Sequence, residues 1–157
     1  MITAGEPAPE FKLRRSDGSD FTRADLEGTT TVLVFYPFAF SPVCTDQLNL
    51  YQEVLGDLQE RGAVMYAVSC DATYSQTAFR EQLGVSIEQL SDFEPKGAAC
   101  KAFGVLHEGG FPERALVAID ADAVVRWSYQ APMPGELPSV ELLREGVAIA
   151  FDGVVNA

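Results

Sequence analysis

Thr31-Val32-Leu33-Val34-Phe35-Tyr36-Pro37-Phe38-Ala39-Phe40-Ser41-Pro42-Val43-Cys44 is the stretch on which the reading of this chain turns. Its first six residues are β-branched, aliphatic and aromatic without polar alternation, the pattern of a central strand covered on both faces. Beyond it Leu48, Tyr51, Leu55 and Leu58 recur at helical spacing and Gly62 is placed to stop the helix, which predicts a helix over 43–61. Cys44 thus falls where a strand hands over to the first turn of a helix, at a helix start rather than deep in a core. In open α/β sheets sites form at the carboxyl ends of strands, and a helix N-terminus offers unpaired N–H groups and partial positive charge. Such a place favours a thiolate, the nucleophilic form of cysteine.

Outward from this stretch, Ala63–Val68 and Ala115–Ile119 repeat the buried-strand pattern, and the more polar Val124–Tyr129 suits a less buried strand. Asp120-Ala121-Asp122 is short enough to join the last two as a hairpin. Helices are expected over 73–83, over 95–103 with Pro95 in the first turn, and over 139–151 with Leu143, Val147 and Phe151 on one face. Phe11–Leu13 and Phe21 flank the polar turn Ser16-Asp17-Gly18-Ser19, an N-terminal β-hairpin extension. Strand and helix alternate over crossover-length connections, so the expected class is α/β: one domain over 1–157, a central mixed β-sheet flanked by helices, in a thioredoxin-like fold.

The chain has 157 residues, of which 47% are hydrophobic and 22% charged, the composition of an ordinary globule. Its 11 basic and 23 acidic residues give a net charge of −12, which repels phosphate backbones and anionic bilayers, so neither nucleic acid nor membrane is an expected partner. Met1–Pro7 has neither the basic start nor the apolar middle of a signal peptide, and a cytoplasmic location is expected. The three cysteines, Cys44, Cys70 and Cys100, are too few and too widely spaced for a disulfide scaffold or a metal knuckle. His107 reads as a loop residue and Gly109-Gly110 lacks the pattern of a phosphate loop, so no metal or cofactor is expected.

Pro37, Ser41 and Cys44 match a P-x-x-x-[T/S]-x-x-C motif, and in it the chain resembles the peroxiredoxin family. The likeness extends to Arg114 in Pro112–Asp120, to the 91–105 segment and to the terminal helix. The Tyr36–Phe40 lead-in, Ser91-Asp92-Phe93 and the short C-terminus resemble the one-cysteine alkyl hydroperoxide reductase E type. The resemblance implies a thiol-dependent peroxidase of antioxidant defence that reduces hydrogen peroxide and organic hydroperoxides. It makes Cys44 the peroxidatic cysteine, with Arg114 favouring its thiolate and binding peroxide. Ser41 then hydrogen-bonds a substrate oxygen, Pro37 shields the thiolate, and the N–H groups of Val43 and Cys44 meet the second oxygen. Phe38 and Phe40, with Phe111, form an apolar approach.

One position departs from the family pattern: Gln47 stands where a glutamate often holds the arginine, and a neutral amide is expected to anchor Arg114 less tightly. The usual resolving position, five residues after Cys44, is Asn49. Cys70, expected at the carboxyl end of a neighbouring parallel strand, and Cys100, on a helix, remain as candidates for resolving, and a one-cysteine cycle is favoured. By resemblance its reductant is an external thiol, either a small thiol with a glutaredoxin-like partner or thioredoxin, and the protein pairs as a homodimer. The competing reading is a redox sensor or oligomeric holdase in which Cys44 oxidation is the signal.

Overall fold

The computed structural model describes residues 1–156, with side chains as far as Phe151. Thr30–Phe35 forms β3, the central strand, buried at every position. Its residues alternate between two cores: Leu33 and Phe35 face one, Val32 and Val34 the other. A strand's side chains have period two, and with both faces covered neither set can be polar. β3 pairs in parallel with β4 (Ala63–Ser69), with Val32 opposite Met65, and antiparallel with β6 (Ala115–Ile119), with Val34 opposite Leu116.

Among the described residues one sheet has seven strands, in the order Asp20–Thr22 (β2), Lys12–Arg15 (β1), Glu88–Ser91 (β5), β4, β3, β6 and Val125–Gln130 (β7). The N-terminal hairpin, β1 (Lys12–Arg15) and β2 (Asp20–Thr22), extends one edge, and β7 (Val125–Gln130) lies at the other, mostly half-buried as expected. α1 (Pro42–Glu60), α2 (Thr73–Leu83) and α4 (Val140–Asn156) pack on the face that carries Val32 and Val34. Leu48, Tyr51, Leu55 and Leu58 of α1 are all buried there. The other face is covered by α3 (Ala98–Ala102) and by Phe11, Phe21 and Phe103. The sheet is therefore mixed, with helices on both faces.

Two elements differ from the expectation. β5 (Glu88–Ser91) is a buried parallel strand beside β4 that the apolar pattern does not show. Its polar side chains find partners inside: Gln89 Oε1 accepts from Tyr36 Oη and Ser91 Oγ donates to the Asp71 carbonyl. α3 starts at Ala98, not Pro95, because the Asp92 carboxylate accepts the N–H groups of Ala99 and Cys100 at 3.0 and 2.8 Å. Those amides lie in the first helical turn, where no intrahelical acceptor exists, so Asp92 sets where the helix begins.

In α4, Gly146 lies against the indole of Trp127 on β7, and a Cβ there would stand 2.2 Å from Trp127 Cε3. A glycine inside a helix costs about 1 kcal/mol relative to alanine. Here the missing side chain is what lets the helix backbone approach the sheet.

Candidate active site

The segment between β3 and α1 is fixed at both ends. Pro37 is buried, and the Ala39 N–H donates to Asp71 Oδ2 at 2.8 Å, tying the loop to the end of β4. Phe40 has φ 71°, a left-handed conformation that L-residues adopt at a cost of about 1–2 kcal/mol. That turn delivers Ser41 as the N-cap of α1 and Pro42 as its first residue, where the lost N–H is no loss. Ser41 Oγ donates to the Phe38 carbonyl at 2.9 Å rather than capping the helix.

Cys44 occupies the first turn of α1 and is fully buried, so its place is both a helix start and a core position, which corrects the expectation that the two are exclusive. Arg114, one residue before β6, is 3% exposed and spreads its guanidinium over three partners. Nη2 donates to Cys44 Sγ at 3.1 Å, Nη1 to Gln47 Oε1 at 2.6 Å, and Nε to the Pro134 carbonyl at 2.6 Å. Gln47 therefore does anchor Arg114, and Pro134 adds a second hold that the sequence reading did not foresee. Tyr51 Oη donates to the Pro138 carbonyl at 2.7 Å and so ties down the loop that presents Pro134. Burial pushes the Tyr51 phenol up to about 12, against the opposing effects of Gln47 and Arg114, so it remains a donor at neutral pH.

Electrostatically the site is one-sided. Gln47 is neutral, and among the described residues no carboxylate forms an ion pair with Arg114. The Cys44 sulfur is the group toward which this buried positive charge is directed. A sulfur nucleophile beside a guanidinium and the N–H groups of a helix start is placed to attack an electrophile, with donors at hand for charge on the atom that departs.

The aromatic residues expected to form an apolar approach divide. Phe38, about half exposed, packs on Phe111 with centroids 5.0 Å apart, and Phe111 in turn stacks on His107. Phe40, also half exposed, leans instead on Phe79 of α2. His107 is a loop residue as expected, its Nδ1 accepting the Gly109 N–H. Cys70 follows β4 at the expected edge, yet its side chain belongs to the core on the α3 face, whereas Cys44 belongs to the core on the α1 face. The structure brings Cys70 and Cys100 to each other and not to Cys44. Tyr51 and the Pro134 carbonyl escaped the sequence reading; the one available signal was Pro132-Met133-Pro134-Gly135, a turn whose prolines fix the backbone.

A buried thiol held by a buried arginine at a strand-to-helix junction is the reactive arrangement this α/β frame presents. The sequence pattern of the AhpC/TSA family matches residues 4–128, and the chain belongs to that family, the peroxiredoxins. Alkyl hydroperoxide reductase E of Mycobacterium tuberculosis is 29% identical over 150 residues, 94% of this chain and 97% of that protein. Alkyl hydroperoxide reductase C of Amphibacillus xylanus is 35% identical over 133 residues, 80% of this chain and 71% of that one. The crystal structure of Enterococcus faecalis AhpC superposes with a TM-score of 0.86 at 26% identity, covering 100% of this chain and 98% of its own. The fold is thioredoxin-like, and the chain is a thiol-dependent peroxidase acting on peroxide with a thiol as reductant. Among the described residues no helix is long and apolar enough to cross a membrane.

Proposed function

We propose that Cys44 is the peroxidatic cysteine and that the protein reduces hydrogen peroxide and organic hydroperoxides in the cytoplasm, as a homodimer. The observation that carries this reading is the Arg114 Nη2 to Cys44 Sγ contact of 3.1 Å inside a buried first helical turn. The thiolate attacks one peroxide oxygen, the O–O bond breaks, and the departing oxygen takes a proton and leaves as water or an alcohol. Cys44 is left as a sulfenic acid.

Each neighbour has a part in that step. The guanidinium hydrogens not engaged by Gln47 and Pro134 face the charge that builds on the oxygens in the transition state. Ser41, its proton given to the Phe38 carbonyl, has lone pairs free to accept the peroxide O–H. The N–H groups of Val43 and Cys44 meet the second oxygen, Pro37 keeps water from the sulfur, and Phe38 and Phe40 offer apolar surface to an organic tail. The cycle closes when an external thiol reduces the sulfenic acid, with a small thiol and a glutaredoxin-like partner or thioredoxin as the donor.

Steady-state peroxide consumption with a thiol donor tests the reading. Many turnovers per Cys44 are expected, with the wild-type rate lost in Cys44→Ser. A single oxidation equivalent followed by arrest would mark a sensor instead, and a wild-type rate surviving in Cys44→Ser would overturn the assignment.

A further inference from the structure

Cys70 and Cys100 are distant in sequence and adjacent in space. Their sulfurs and a carboxylate oxygen of Asp92 all lie within 4.8 Å of one another, and all three residues are buried. The pair belongs to the core on the α3 face, across the sheet from Cys44. We propose that Cys70 and Cys100 form a second redox centre, a dithiol that a hydroperoxide oxidises to a disulfide independently of Cys44.

The two thiols are not equivalent. Cys70 keeps 8% of its surface while Cys100 has none, so the oxidant reaches Cys70 first. Residues flanking Cys70 and Asp92, namely Ala72, Ser91 and Phe93, line a cleft of about 340 Å³. A hydrogen bond from Cys100 holds the Cys70 thiol below its ordinary range, and the same bond together with burial pushes Cys100 up. Cys70 is accordingly the nucleophile and Cys100 its proton-bearing partner.

The chemistry balances with the hydroperoxide this family already handles. The Cys70 thiolate attacks one peroxide oxygen, the O–O bond breaks, and the alcohol or water leaves with a proton. The Cys100 sulfur then attacks the Cys70 sulfenic acid, the S–S bond forms, and hydroxide departs, taking the Cys100 proton to become water. Two thiols and one hydroperoxide give one disulfide, one alcohol and one water. The sulfurs, within 4.8 Å of one another, must close to about 2.05 Å by rotation of the two side chains or a small shift of the short α3. A metal fits these residues poorly. Both Asp92 oxygens already accept the amides of Ala99 and Cys100, and a structural zinc takes four ligands where three side chains converge.

The test is peptide mapping, under non-reducing conditions, of Cys44→Ser treated with a few equivalents of hydrogen peroxide. Expected are loss of two titratable thiols, loss of two hydrogens in mass, and a linked pair of peptides containing Cys70 and Cys100. In Cys44→Ser with Cys100→Ser, a sulfenic acid trapped by dimedone on Cys70 is expected. The wild-type protein, mapped in the same way, covers the case in which the Cys44 variant folds poorly. Both thiols remaining open to alkylation after unfolding would overturn the proposal. So would a Cys44 disulfide to either residue in the wild type, which makes them resolving thiols, or a stoichiometric zinc ion retained by the reduced protein and lost in Cys70→Ser. The outcomes in Cys44→Ser do not depend on whether Cys44 turns over peroxide.

Discussion

Arg114 reaches the Cys44 sulfur from the opposite side of the site, seventy positions along the chain, and is itself held by Gln47 and Pro134. Its charge and its geometry are separable. Arg114→Ala should slow single-turnover oxidation of Cys44 by about 100-fold or more, the scale of losing one preorganised transition-state donor. Arg114→Lys keeps the charge but not the fork that engages three partners, and should fall between the two. Stopped-flow rates with hydrogen peroxide measure both, and equal rates in all three proteins would remove Arg114 from the chemistry.

Among the described residues the buried Gln47 Nε2 makes no hydrogen bond of good geometry, although the Tyr51 phenol is close enough to feel it, while Oε1 holds Arg114. Gln47→Glu removes this poorly satisfied donor and adds a charge that competes with the thiolate for the guanidinium. The variant should be more stable and slower, by about 1 kcal/mol of lost attraction or roughly fivefold in rate. Urea denaturation and peroxide kinetics on one preparation should move in opposite directions.

Gly146→Ala gains helix propensity and loses space. The added methyl meets the rigid indole of Trp127, so α4 must move off the sheet, and overpacking of this kind costs about 1–3 kcal/mol. A net loss of stability with altered Trp127 fluorescence is expected, whereas a rise in Tm would show that the helix can shift freely.

Asp120 turns the β6–β7 hairpin, accepting the amides of Asp122 and Val124 and pairing with Arg126. Burial raises its pKa, but the Arg126 guanidinium and the two amides outweigh that and hold it below the usual carboxylate range. A depressed carboxyl contributes stability above its unfolded pKa of about 3.9, and that contribution is lost as pH falls through the lower folded value. Asp120→Asn should cost about 2–3 kcal/mol at neutral pH. The urea curves of variant and wild type should converge only in strong acid.

What could be read before the structure and what could not divide along physical lines. β3, β4, β6 and α1 declare themselves because their side chains answer to one bulk property, burial of apolar surface. β5 does not, since Gln89 and Ser91 satisfy themselves through Tyr36 Oη and the Asp71 carbonyl, partners distant in sequence. Asp92 shortens α3 by a bond that no local pattern encodes. At the candidate site, the nearness of Cys44 and Arg114 could be expected from the resemblance of the Pro37–Cys44 and Pro112–Asp120 segments to one family. The Pro134 carbonyl could not, because a main-chain acceptor has no residue type of its own. The meeting of Cys70 with Cys100 depends on which face a strand-end residue takes, and one residue of offset reverses that.

The clamping of β3 from both sides sets where the chain can change length. Val32 and Val34 are registered against β4 on one side and β6 on the other, so one inserted residue inside Thr30–Phe35 turns each core side chain to the wrong layer. It also carries Pro37 and the start of α1 out of place. The Asp17-Gly18 tip of the hairpin has no such double constraint, being exposed and lying beyond the paired residues of β1 and β2. Growth by insertion, natural or engineered, is therefore open at the hairpin tip and closed at the strand that leads into the loop before Cys44.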